Sequence, residues 1–308
     1  MNLKNRLNPA RSTFSCEPMD ASDDSFSPDS PLVAQVLPSP NHGERVGVAA
    51  PDMLVLHYTG MESIDEAVEW LRSPERGVSA HYVVYENGEI AQLVPETRRA
   101  WHAGRSFWAG ATDLNSHSIG IEIANPGHDF GYPAFPAIQI EAVTALAKDI
   151  VTRRRIAPDR VLAHSDIAPE RKDDPGEKFP WEILHRAGIG HLVDELPLND
   201  GRYFMRGEHG QPVEALQAML AFYGYNVPVT GNFCEQTEIV VRAFQRHFRR
   251  TRVDGIADIS TLATLYALAR SRPSAGGRAV PPRWRRQCSP IALRLWNSPA
   301  NACRSTGP

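Results

Sequence analysis

The sequence predicts a mixed α/β domain, in which helices flank a central sheet, followed by a small three-helix bundle. Short apolar runs typical of buried strands alternate with segments of helical periodicity over residues 42–195. The pair Asn87-Gly88 separates two such runs, which is the pattern of a two-residue hairpin. After residue 207, three helical segments follow one another with no strand pattern between them.

The first elements of the α/β unit each carry a local signal. The run 51–60 is apolar and ends on a glycine, as a strand buried on both faces does. A helix is predicted to begin at Ser63, because Ser63 and Glu66 have the spacing of a capping box. The hairpin strands are predicted at 81–85 and 89–94.

The later elements place histidines at strand ends. Alternating isoleucines predict a strand over 118–124, and an apolar face predicts a long helix over 137–155. A last short strand at 160–163 delivers His164 at its end, just as the first strand delivers His57. The sequence therefore predicts two histidines at strand ends.

Breaks in periodicity give the domain boundaries. Residues 1–41 contain seven Ser and six Pro, so this segment cannot bury enough apolar surface to offset its ordering entropy. The bundle helices are predicted at 212–220, 237–245 and 259–265. The predicted organisation is a disordered tail at 1–41, the α/β domain at 42–195, a linker at 196–206, the helical domain at 207–270 and a disordered basic tail at 271–308.

Composition excludes two classes of protein. No apolar run approaches the ~18–20 residues that span a bilayer, which excludes an integral membrane protein. The formal charge is -3, but the last 38 residues hold seven Arg and no acid, so the rest of the chain carries -10. An acidic body lacks the clustered cations that nucleic-acid binding needs. The four cysteines have no metal-binding spacing and predict no disulfide framework.

Three side chains suggest a metal site. His57, His164 and Asp174 would offer nitrogen and oxygen donors, and three such ligands leave tetrahedral zinc one open position for water. The chain has eleven histidines, so spacing alone selects weakly among them. The alternative is a core histidine bonded to backbone at position 57 and an ordinary turn residue at position 174.

Five segments carry a family resemblance: LVLHYTG, SAHYVVYENGEIAQLVPE, RAWHAGRSFW, NSHSIGIEIANPG and AHSDIAPERKDDPG. In this order they resemble the motifs of zinc-dependent N-acetylmuramoyl-L-alanine amidases of the AmpD/AmiD type, relatives of peptidoglycan recognition proteins. The match spans about residues 50–185. It implies one zinc ion per chain and hydrolysis of the bond between N-acetylmuramic acid and L-alanine in peptidoglycan or muropeptides, as in cell-wall turnover.

The resemblance also implies roles for single residues. The zinc ligands fall on His57, His164 and Asp174, the catalytic acid falls on Glu122 and the catalytic lysine on Lys172. Without the family, Glu122 would be an exposed strand residue and Lys172 an ordinary surface charge.

Further residues are candidates for the surroundings of the site. Trp108 is expected to line a groove that stacks on sugar rings, with a place in the core as the alternative. The candidate substrate contacts are Arg99, Trp101, His102 and Asn115, and His81 is expected to pack behind the site.

The bundle resembles the three-helix peptidoglycan-binding domain. The resemblance lies in ALQAML at 215–220, TGNF at 230–233, RAFQ at 242–245 and VDGIA at 253–257. It implies a wall-binding module joined by a linker to an independently folding enzyme. The sequence leaves the oligomeric state open, with a monomer favoured. The alternative is a helical module with no ligand. The module favours the cell envelope, and the cytoplasm is the alternative because the N-terminus lacks the apolar core of a secretory signal.

Two other functions stay open at this point. One is a non-catalytic peptidoglycan receptor of the same fold, and the other is a zinc peptidase that cuts the stem peptide. Receptors of this kind typically lack a zinc ligand, whereas all three candidate ligands are present here.

Overall fold

The computed structural model describes residues 26–195, 197, 201 and 203–273. Within these residues a six-stranded sheet with flanking helices precedes a three-helix unit, which confirms the predicted fold class. The strands are β1 (Gln35–Val36), β2 (His42–Gly43), β3 (Met53–Tyr58), β4 (Tyr82–Val84), β5 (Ile90–Gln92), β6 (Arg99–Ala100), β7 (Ser118–Ile123) and β8 (Val161–Ala163). The helices are α1 (Ile64–Arg72), α2 (Leu114–His117), α3 (Ala137–Arg154), α4 (His164–Ile167), α5 (Trp181–Arg186), α6 (Gln211–Tyr223), α7 (Glu235–Phe248) and α8 (Ile259–Ser271). None of these helices is long and apolar enough to cross a membrane.

The main sheet brings three parallel strand ends together. Its strand order is β1-β5-β4-β7-β3-β8, and β4 and β5 form its antiparallel hairpin; β2 and β6 make a separate antiparallel pair. β3 lies between β7 and β8 and is parallel to both. His57 of β3 is in register with Glu122 of β7, and Leu56 is in register with Ala163, the residue before His164. Three candidate site residues therefore meet at one edge of the sheet.

Local signals in the sequence account for the first elements. The Ser63 side chain caps α1 by accepting from the backbone N–H of Glu66 at 3.3 Å. Gly88 adopts a φ of 87° in the hairpin turn, and Asn87 Oδ1 accepts from the N–H of Glu89 at 2.9 Å. Both predictions are confirmed.

The prediction of disorder over 1–41 is wrong for residues 26–41. β1 pairs in parallel with β5, and Asp29 accepts hydrogen bonds from the Gln92 side chain and the Glu96 N–H. The Ser39 hydroxyl is buried and donates to Leu71 O. This segment is ordered here because its polar groups pair with a sheet edge and because Val33 and Leu37 pack against the core, which average composition does not reveal. Residues 1–25 lie outside the described residues.

The two units share one hydrophobic core. Trp108 is 0 % exposed, and its ring centroid lies 4.9 Å from that of Tyr225 and 6.1 Å from that of Tyr223. One continuous apolar cluster includes Val55 and Ile167 of the α/β unit together with the buried face of the bundle. The expectation that Trp108 lines a groove is wrong, because the bundle covers it completely.

Both predicted boundaries around the bundle also change. Phe204, placed in the linker, is buried and pairs with Ala257, so it belongs to the helical unit. Arg272, placed in the basic tail, forms an ion pair with Asp159 at 2.7 Å. Residues 196, 198–200, 202 and 274–308 lie outside the described part of the chain.

Replacing Gly224 with Ala is expected to destabilise the contact between the units. A Cβ at Gly224 would lie 2.6 Å from Trp108 Cε2, on a backbone with φ of 146°. Gly207 is a matched control, because its φ is 96° and a Cβ there meets nothing within 4 Å. Gly224→Ala should lower the free energy of unfolding by about 1–3 kcal/mol more than Gly207→Ala in denaturant titrations. Equal decreases in the free energy of unfolding of the two variants would show that the Trp108 side chain moves to accommodate the added methyl group at little cost.

Candidate active site

Three side chains converge at the edge of the sheet where β3 and β8 end. His57 Nδ1 and His164 Nδ1 are 2.9 Å apart, and Asp174 Oδ2 lies 3.2 Å from the first and 3.0 Å from the second. All three residues are buried. Three tetrahedral zinc ligands at ~2.0–2.1 Å from the ion are separated by about 3.3 Å. The spacing and chemistry of these donors therefore fit a zinc ion.

Hydrogen bonds behind His57 fix which of its nitrogens carries the proton. Leu114 O accepts from the Ser118 hydroxyl at 2.5 Å, so Ser118 Oγ is free to accept from His102 Nε2 at 3.2 Å. His102 Nδ1 then has a lone pair and accepts from His57 Nε2 at 2.9 Å. This series of hydrogen bonds leaves His57 Nδ1 without a proton and directed toward the centre of the group, as a metal ligand requires.

His164 is oriented in the same way by a simpler contact. Its Nε2 lies 3.3 Å from Ala103 O, which can only accept, so Nε2 carries a proton and Nδ1 is the nitrogen that faces the centre. Burial first, and then His164, lower the pKa of His57 to about 4, so this ring is neutral near pH 7. Both imidazoles therefore turn Nδ1 toward the centre of the group.

Asp174 supplies the negative charge of the group. Burial opposes its ionisation, but the interactions with His164 and then His57 hold its pKa well below the ordinary value. The site thus combines two imidazole nitrogens with one carboxylate oxygen, a donor set suited to a divalent zinc ion.

Glu122 lines the same cavity as this group, and one of its carboxylate oxygens has no hydrogen-bond partner among the described residues. This oxygen, Oε2, is buried. Burial, and next the charge of Asp174, raise its pKa well above the ordinary value, while Lys172 acts in the opposite direction. A carboxyl group poised in this way, next to candidate metal ligands, is typical of a catalytic acid or base.

A cavity of about 340 Å³ opens over these groups. Its floor is polar, and apolar side chains from α1 and the segments that follow form its wall. It is lined by His57, Tyr58, Thr59, Met61, Ala67, Trp70, Leu71, Val78, Ser79, Trp101, His102, Glu122, His164, Lys172 and Asp174. All five residues predicted as ligands and catalytic groups therefore face one cavity.

The other sequence candidates divide into two groups. Trp101 and His102 line the cavity, whereas Arg99 and Asn115 are not among the described residues around it. Arg99 is paired with Asp113 at 2.9 Å. Asn115 Oδ1 instead accepts from the N–H groups of His102 and Ala103 at 3.0 and 2.7 Å. The structure gives these two side chains an internal role and no contact with the cavity.

His81 packs behind the site, where the sequence analysis places it. Its ring centroid is 5.7 Å from that of His102, and its Nδ1 accepts from the Gly120 N–H at 3.0 Å. Burial, followed by the charge of Arg45, lowers the pKa of His81 to about 3. His81 is therefore a neutral residue that supports β7 and the His102 ring from behind the site.

Two residues of the site, Trp70 and Ser118, were not predicted from the sequence. Trp70 is 41 % exposed, lines the cavity, and carries the Arg76 guanidinium 3.6 Å above its ring. Ser118 fixes the His102 tautomer, and although it lies within the motif NSHSIGIEIANPG, nothing in the sequence distinguishes it from its neighbours. The sequence offered one signal for Trp70: an aromatic side chain among the charged residues on the outer face of α1.

The chain is similar to known proteins over most of its length. The family model described as N-acetylmuramoyl-L-alanine amidase matches residues 47–177, and the model of a peptidoglycan binding domain matches residues 209–265. N-acetylmuramoyl-L-alanine amidase AmiD of Escherichia coli (strain K12) is 43% identical over 231 residues, which make up 70% of this chain and 81% of AmiD.

Solved structures show the same likeness. E. coli AmiD in complex with the substrate anhydro-N-acetylmuramic acid-L-Ala-D-gamma-Glu-L-Lys is 38% identical, with 74% of this chain and 96% of that chain covered and a TM-score of 0.60. AmpDh3 from Pseudomonas aeruginosa in complex with anhydromuramic pentapeptide is 32% identical, with 83% and 100% covered and a TM-score of 0.62. The resemblance expected from the five motifs is confirmed, and the chain belongs to the family of N-acetylmuramoyl-L-alanine amidases.

Proposed function

We propose that the chain hydrolyses the amide bond between N-acetylmuramic acid and L-alanine, with one zinc ion held by His57, His164 and Asp174. The observation that carries the proposal is the convergence of two correctly oriented Nδ1 atoms and one carboxylate oxygen at the floor of an open cavity. When bound there, zinc polarises the amide carbonyl and lowers the pKa of water toward ~7.

Glu122 is the proton carrier of the reaction. Glu122 lines the cavity, its Oε2 has no hydrogen-bond partner among the described residues, and its pKa, raised above the ordinary value, suits a group that both accepts and donates a proton. Glu122 takes one proton from the attacking water and delivers it to the nitrogen of L-alanine as the C–N bond breaks. The products are the carboxylic acid of the muramic lactyl group and a free amine.

Lys172 stabilises the charge that forms during attack. It lines the same cavity as Glu122, and it lies close enough to lower the pKa of that carboxyl group. Its ammonium group can therefore meet the negative charge that develops on the former carbonyl oxygen.

The substrate is a muropeptide, free or within peptidoglycan. The two relatives with bound ligands hold anhydromuramic peptides. In this chain, Trp70 and Trp101 line the cavity, and indole rings suit the apolar side of a sugar ring. The C-terminal unit binds peptidoglycan and concentrates the enzyme on the polymer. This places the protein in cell-wall turnover, and we propose the cell envelope as its location.

Incubation with a soluble anhydro-muropeptide tests the function. Mass spectrometry of the products should show a peptide with L-alanine as its new amino terminus and an intact sugar acid. The Glu89→Gln variant, changed at an exposed site in the β4–β5 turn, is the control and should give the same products at the same rate. A new terminus within the stem peptide would favour a peptidase, and tight binding without any new terminus would favour a receptor.

A further inference from the structure

The carboxylate of Asp166, in α4, is held by residues from both units. It is 1 % exposed and accepts three hydrogen bonds. Oδ2 accepts from the Ala163 N–H at 2.8 Å and from His247 Nδ1 at 2.6 Å, and Oδ1 accepts from the Tyr225 hydroxyl at 2.5 Å. Two of the three donors thus belong to the C-terminal unit. A buried carboxyl oxygen has no water to replace a lost donor, so removing either donor of the C-terminal unit weakens the hold on Asp166.

The turn that Asp166 fixes carries two proposed ligands. α4 begins at His164, and Asp166 secures its start through the N–H of the preceding Ala163. The next residue, Ser165, donates its N–H to Asp174 O at 3.0 Å. A displacement of α4 would therefore move His164 directly and Asp174 through this bond.

α7 is well placed to hold this turn rigidly. The His247 ring is stacked between Trp181 and Phe248, with centroids 3.8 Å away on each side, so it cannot rotate away from its partner. The neighbouring Arg246 forms an ion pair at 2.6 Å with Asp173, directly before the proposed carboxylate ligand. Two consecutive residues of the bundle thus contact the chain beside two ligands.

We propose that Tyr225 and His247, acting through Asp166, are positioning residues of the metal centre, so that the C-terminal unit sets the zinc affinity of the catalytic unit. The inference rests on the proposed metal ligands. It gives the bundle a second role besides binding peptidoglycan. Removing a donor to Asp166 loosens the turn and weakens zinc binding without changing any ligand.

Two tyrosine variants of the full chain separate this role from general packing. Tyr225→Phe removes one donor to Asp166 and keeps the ring. Tyr223→Phe removes a neighbouring buried hydroxyl that pairs with His191 at 2.9 Å, and both tyrosine rings pack on Trp108. The zinc dissociation constant is measured by competition with a chromophoric chelator at pH 7. We expect it to rise about tenfold in Tyr225→Phe, as for other residues that orient metal ligands, and to stay within twofold in Tyr223→Phe.

His247→Phe provides an independent second variant. It keeps a ring between Trp181 and Phe248, removes the other donor, and should also raise the dissociation constant about tenfold. Unchanged zinc affinity in both Tyr225→Phe and His247→Phe would overturn the proposal. Equal weakening in Tyr223→Phe would overturn it too, because the effect would then come from the interface as a whole. Failure of the proposed metal centre looks different, since the wild-type chain itself would then bind no zinc.

Discussion

Replacing Glu122 with Gln is expected to lower the rate of muropeptide hydrolysis by at least ~10²-fold while zinc stays bound. Glutamine keeps the size of the side chain but can neither take a proton from water nor deliver one to the leaving nitrogen. Glu122 itself is not one of the three clustered donors, so the metal site should remain intact. Initial rates on a soluble anhydro-muropeptide and the zinc content of the same preparation are the two measurements.

Glu89→Gln is the control, because it makes the same substitution at an exposed position. This variant should keep the wild-type rate. A Glu122→Gln variant with more than a tenth of the wild-type rate and full zinc content would exclude Glu122 as the proton carrier. Loss of zinc from that variant would instead assign Glu122 a part in holding the metal.

Ending the chain at residue 200 is expected to destabilise the α/β unit strongly. The truncation uncovers Trp108, which is 0 % exposed, and removes the Tyr225 and His247 donors from Asp166. Exposing one large buried apolar side chain costs ~1.5–3 kcal/mol, and the shared core loses several contacts at once. We expect a loss above ~3 kcal/mol and a fall in the thermal midpoint of more than about 6 °C.

A chain ending at residue 273 is the matched control for this truncation. It keeps every described contact between the two units, so its thermal midpoint should equal that of the full chain. If the chain ending at 200 is as stable as this control, the shared core contributes little, and the linker expectation from the sequence is the better description.

The fold was predictable where a local signal decides local structure. The capped start of α1, the Asn87-Gly88 turn and the apolar strands need no long-range information, and the structure has all of them. Residues 26–41 and Trp108 were mispredicted for the opposite reason. Whether a polar segment is ordered, or an aromatic ring is covered, depends on a partner distant in the sequence. Only the folded chain supplies those partners.

The site divides in the same way. Motifs marked the five residues proposed as ligands and catalytic groups, and all five line one cavity. Arg99 and Asn115 lie within the same motifs but bond to Asp113 and to backbone, because a motif includes residues that build a site as well as residues that touch substrate. Asp166 also lies in a motif, yet its partners come from a unit some sixty to eighty residues away in the sequence.

Titration of the metal-free chain with zinc tests the central claim most directly. The protein is stripped with a chelator, zinc is added in steps, and hydrolysis of a soluble anhydro-muropeptide is measured at each step, in parallel with His164→Ala. The account predicts a rate near zero without zinc, a linear rise that levels off at one zinc ion per chain, and no activity or stoichiometric zinc binding in His164→Ala. Full activity in the stripped protein, or stoichiometric zinc in His164→Ala, would contradict it.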